Sequence, residues 1–140
     1  AHAGLLQVAV VALYVAAHDF PDLGVGRVYA ALPDDLADRV LLDHPLVGEA
    51  KIVGLMGSIA LTPEKSSRAP FAAEAGTVGY ICREFSFGNN LIMRHVYDRM
   101  IIAPPLVISK EEVDILIDRA WKTLDQTHAK LKAEGMMRAA

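Results

Sequence analysis

Cysteine is nearly absent. Cys82 stands alone among 140 residues, so no disulfide can form within the chain, and a reducing, cytoplasmic setting is expected. It reads as a buried thiol rather than a nucleophile. No basic run is present: 14 Lys and Arg are scattered among 17 Asp and Glu for a formal net charge of -3, which leaves no footprint for a nucleic-acid backbone. Long hydrophobic runs are missing as well. Gly4 to Ala17 is apolar apart from Gln7, but it falls short of the about 20 residues that cross a bilayer. A signal peptide would open with methionine and a cationic flank, whereas this stretch follows Ala-His-Ala. It reads as a buried helix of a soluble protein, with Val8, Val11 and Val15 candidates for a surface that covers a partner. No membrane and no nucleic acid are expected as partners.

Metal and nucleotide signatures are also lacking. The five histidines, at 2, 18, 44, 95 and 128, have neither the mutual spacing nor the cysteine partners of a zinc site, so no metal is expected. Gly24-Val25-Gly26 and Gly54-Leu55-Met56-Gly57 complete neither a dinucleotide nor a phosphate-loop fingerprint and read as packing glycines. Ser58 and Ser86 lack the strand-to-helix elbow of a hydrolase nucleophile. Lys51 lies in an apolar strand, where desolvation would lower its pKa, but a long amphipathic side chain more readily reaches back to the surface.

What is present is a chain long enough for one core, 53% hydrophobic and 22% charged, in the range of globular domains. Asp19 to Gly26 has loop composition, and Pro33-Asp34-Asp35 opens a short helix that ends at Leu42, because Pro45 restricts His44. Val47 to Leu61 reads as a strand pair or one bent strand, with glycines at 48, 54 and 57 marking close backbone approach. Thr62 to Pro70 is a polar loop. Ala73 to Phe87 carries Val78, Ile81, Cys82 and Phe85 at helical spacing, stopped by Gly88-Asn89-Asn90. Leu91 to Met93 and Met100 to Ile102 are predicted short strands. Ser109 and Glu112 form a capping box before the stripe Val113, Ile117, Ala120, Leu124 and Leu131, and Gly135 ends that helix, which is expected to cover a sheet. The sum is an α+β fold: a short, mostly antiparallel sheet covered by helices.

One polar residue stands out between the predicted strands. Arg94 offers a planar fork of donors to a carboxylate and stays charged at any working pH. The plainer alternative is a surface salt bridge with Asp98 or Glu84, and spacing alone favours it.

Several blocks, in order, resemble the class III pyridoxal-phosphate-dependent aminotransferases of the ω-amine:pyruvate type. They are Asp43-His44-Pro45-Leu46-Val47-Gly48-Glu49-Ala50-Lys51 with Gly54-Leu55-Met56-Gly57, then Lys65 to Phe71, then Asn89-Asn90-Leu91-Ile92-Met93-Arg94, then Asp98 to Ile108 with its Ala103-Pro104-Pro105. The likeness covers about residues 43 to 132. It departs from the family at Lys51, usually arginine, at Ile52, usually glycine, and from Gly4 to Arg39.

The resemblance implies a fold-type-I enzyme in which residues 43–140 form the small C-terminal α+β domain and residues 1–42 a helical link to a larger domain. It implies pyridoxal 5'-phosphate as cofactor, amines and keto acids as substrates, a homodimer, and Arg94 as the arginine that binds the substrate carboxylate and swings aside for simple amines. The family's Schiff-base lysine falls before Ala1, so no catalytic or cofactor-binding residue is assigned and these 140 residues alone are expected to be inactive. The alternative is a non-catalytic α+β dimerisation or regulatory module derived from a truncated transaminase.

Overall fold

The computed structural model describes residues 41–140 except Gly54 and Leu106. The apolar helix expected over Gly4 to Ala17, the Asp19 to Gly26 loop and the start of the helix at Pro33 lie outside these residues. So does nearly all of the 1–42 segment. The end of that helix is described: Leu41 and Leu42 are helical and the chain turns at Asp43.

The β-branched and small residues after Leu46 form an antiparallel pair, β1 (Val47–Val53) and β2 (Met56–Leu61). Two further strands, β3 (Arg94–Val96) and β4 (Arg99–Ile102), complete an antiparallel sheet of order β1-β2-β4-β3. Between the strand pairs runs helix α1 (Thr77–Gly88), and helix α2 (Lys110–Ala133) follows the sheet.

Side-chain alternation sends Ile59, Leu61, Met100 and Ile102 to one face, where they are buried with Val47. Val78 and Cys82 of α1 join this core, as do Ala120, Leu124 and Leu131 of α2. The backbone of α1 runs beside β3 and β4, and α2 packs chiefly on α1. Both helices thus share one buried cluster with the sheet, and α2 is also held against α1.

Two predicted boundaries move, each for a local reason. The first helix starts at Thr77 rather than Ala73, since Gly76 sits at φ 94, outside right-handed helical space. Leu91 to Met93 is not a strand. Asn90 has φ 55, the Leu91 N–H donates to Ser86 O at 2.9 Å, and the Asn90 N–H donates to Phe87 O at 3.1 Å. This is the left-handed cap that closes a helix, and its following apolar residue packs back on the last turn. Leu91 and Met93 are thus apolar because they plug the core. The strand begins three residues later than Leu91, at Arg94.

The end of α2 repeats the motif, with Met136 N–H donating to Leu131 O at 2.8 Å and Gly135 at φ 67. Its start is the expected capping box. Ser109 Oγ accepts from the Glu112 N–H at 3.2 Å, and Glu112 Oε2 accepts from the Ser109 N–H at 2.8 Å. Thr123 and Thr127 are fully buried in the apolar stripe because each hydroxyl donates to the carbonyl four residues back, at 2.8 Å.

His44 ties the entry of β1 to α2. It is wholly buried, its Nδ1 accepts the Leu46 N–H at 3.1 Å, and Nε2 therefore carries the proton donated to Asp125 Oδ1 at 3.2 Å. Its ring meets Trp121 edge-on at 5.0 Å.

Candidate functional site

Residues paired across antiparallel strands share a face. The register therefore sets Glu49, Ala60, Arg99 and Val96 in one row across the outer face of the sheet, and Lys51, Ser58, Ile101 and Arg94 in the next. Simple alternation would put Val47 and Glu49 on the same side. It fails because Gly48 is an extra residue: Val47 opposes Leu61 and Glu49 opposes Ala60, so a bulge turns Val47 into the core and Glu49 outward. A Cβ at Gly48 would lie 2.7 Å from Thr62 Cγ2, which explains why a glycine occupies the bulge.

Glu49 is the hub of this face. Its Oε2 accepts from Arg99 at 2.7 Å and its Oε1 lies 3.0 Å from Lys51 Nζ, while the second arm of Arg99 donates to Ser58 Oγ at 2.9 Å. The hydrogen bond from Arg99, followed by that from Lys51, holds the Glu49 carboxyl down at about 2. Lys51 is 69% exposed and paired, so it is a surface cation and not a desolvated nucleophile.

Arg94, the predicted carboxylate binder, is the first residue of β3 and is exposed. The alternative salt bridge does not form: among the described residues no carboxylate lies within ion-pair distance of it. Asp98 is engaged elsewhere, accepting the Gly79 N–H at 2.9 Å. Arg94 and Arg99 are diagonal neighbours on one face, since Arg94 opposes Ile101, two residues beyond Arg99. Arg99 has both guanidinium arms occupied, and Arg94 has neither arm bonded among the described residues.

Sequence reasoning missed Glu49 as a partner of Arg99. The available signal was the glycine before it, inside a strand, where a bulge reverses the face. Lys51 and Glu49, two residues apart on one strand, were readable as neighbours.

Every described lysine is exposed or half-buried. Lys65 donates to Leu42 O and Lys130 pairs with Glu134. No cluster of three or more His, Cys, Asp or Glu suited to a metal occurs among the described residues. Cys82 is buried, and desolvation pushes its thiol up to about 11, so it is inert at neutral pH.

No protein-family model matches the chain. It is similar to the putrescine–pyruvate aminotransferase of Pseudomonas aeruginosa, 50% identical over 93 residues, which are 66% of this chain and 20% of that protein. It is also similar to gamma aminobutyrate transaminase 3, chloroplastic, of Solanum lycopersicum, 30% identical over 67% of this chain and 18% of that protein. Among solved structures, the omega transaminase of Pseudomonas jessenii in complex with PMP superposes with a TM-score of 0.64 at 28% identity, over 77% of this chain and 22% of that one. The chain thus spans about a fifth of the length of the relatives it matches. The order of the matching blocks, the four-stranded sheet with its two helices and these likenesses agree: the chain is a C-terminal part of a class III, pyridoxal-phosphate-dependent aminotransferase.

Proposed function

We propose that the protein containing this chain transfers an amino group between an amine or ω-amino acid and pyruvate or a similar keto acid, and that Arg94 holds the carboxylate of the keto acid or amino acid. The observation that carries the Arg94 role is its position: an exposed arginine with no carboxylate partner among the described residues, beside a second arginine that is fully engaged. A free guanidinium fork pairs with a carboxylate and yields its place to an apolar substituent when the substrate has none. The transfer itself is supported by the 50% identity to a putrescine–pyruvate aminotransferase. Pyridoxal phosphate supplies the electron sink for such chemistry when bound. Its holding residues, the remainder of the pocket and a second subunit in a homodimer are assigned to protein beyond the described residues. A reducing, cytoplasmic location fits the single thiol.

The test is amine-dependent conversion of pyruvate to alanine by the complete, cofactor-loaded protein, with donors ranging from diamines to ω-amino acids. Alanine formation with at least one donor is expected. A protein that binds pyridoxal phosphate yet aminates neither pyruvate nor any other keto acid would overturn the proposal.

A further inference from the structure

Among the described residues, three cations, Lys51, Arg94 and Arg99, lie in adjacent rows on the outer face of one small sheet, and a single carboxylate, Glu49, stands among them. Glu49 takes Lys51 on one oxygen and Arg99 on the other. Ser58 occupies the remaining arm of Arg99. Arg94 and Arg99 are diagonal cross-strand neighbours, roughly 7–8 Å apart at the backbone. Without Glu49, a short anion arriving at Arg94 would meet a second guanidinium within side-chain reach.

We infer that Glu49 is a specificity-determining positioning residue. By drawing Arg99 and Lys51 toward β1, it leaves Arg94, among the described residues, as the one cation of this face without a carboxylate partner, so the site reads one carboxylate rather than two. The inference rests on the proposed role of Arg94. The bulge at Gly48 is part of the device, because it alone turns Glu49 onto the face that the two arginines share. Specificity of this kind comes from removing a competing attraction rather than from adding a contact to the preferred ligand. A surface ion pair adds little to stability, so the arrangement is explained better by where it holds Arg99 than by what it contributes to folding.

The experiment is calorimetric titration of the complete, cofactor-loaded protein with propionate, which has one carboxylate, and glutarate, which has two. In Glu49→Gln, Arg99 is released, and the preference for glutarate over propionate should rise about tenfold, equivalent to about 1.4 kcal/mol. Adding Arg99→Gln to that variant should return the preference to the wild-type value, an outcome that a merely structural role for Glu49 would not produce. A folded Glu49→Gln protein with an unchanged preference overturns the inference. If that variant does not fold, Arg99→Gln alone decides: unchanged propionate binding supports a withdrawn Arg99, whereas a loss as large as that of Arg94→Ala shows that Arg99 itself binds the ligand. Arg94→Ala separates this question from the proposed function. Propionate binding that survives Arg94→Ala would defeat the clamp role itself, whatever Glu49 does.

Discussion

Asp98 caps a helix to which it does not belong: its Oδ1 accepts, at 2.9 Å, the backbone N–H of Gly79, a residue 19 positions earlier in the chain and in the first turn of α1. The helix has no side-chain cap of its own, because Gly76 stands at the N-cap position. Asp98 belongs to the two-residue turn between β3 and β4, so the same bond fixes the turn that follows Arg94 against α1. The approach is close enough that a Cβ at Gly79 would sit 2.0 Å from Tyr97 O.

Gly79→Ala should therefore destabilise the protein by about 3 kcal/mol, the upper end of an overpacking cost, because the obstructing atom is backbone and cannot rotate away. Asp98→Ala should cost about 1–2 kcal/mol by leaving the Gly79 N–H without its partner. Gly88→Ala is the control, since a Cβ there meets nothing within 4 Å and should be neutral or stabilising by up to about 1 kcal/mol. Urea unfolding of the three variants checks the order. Equal effects at Gly79 and Gly88 would mean that α1 and the β3–β4 turn are not in contact.

His44 sets a pH dependence of definite sign. Burial lowers its pKa from 6.5, with the hydrogen bond from its ring to Asp125 opposing that change in part. The unfolded chain then binds a proton near pH 6.5 that folded His44 still refuses, so stability is full above that pH and falls as pH drops toward the folded pKa. His128 is lowered by burial first and by Lys132 next, and acts in the same direction. Thermal unfolding between pH 7.5 and 5.5 should show a falling midpoint, and His44→Gln, which retains a donor toward Asp125, should flatten the slope and leave the part due to His128. A midpoint that rises on acidification would reverse the assignment of His44 as buried and neutral.

The features that were legible in the sequence are those whose causes are local. Ser109, Glu112 and Gly135 specify the ends of α2 through contacts within a few residues, and the α+β arrangement follows from strand-like and helix-like stretches in turn. Leu91 and Met93 misled because two different causes make a residue apolar. They fill the core after a helix cap, while periodicity alone reads them as a strand. The outward turn of Glu49 was hidden for a related reason: its face depends on one extra residue at Gly48, and the need for that residue is seen only where Thr62 packs against it. Arg99 is held by Glu49 and Ser58 from two other strands, a link that no spacing along the chain encodes.

The most direct test of the account is Arg94→Ala in the complete protein, with the two half-reactions measured separately, because overall turnover requires a keto acid and would hide the amine side. A loss of about 10- to 150-fold in apparent affinity for pyruvate or alanine is expected, matching the about 1.5–3 kcal/mol of a charge-assisted hydrogen-bonded pair, with the half-reaction of a simple amine left near wild type. Equal slowing of both half-reactions, or of neither, would contradict it.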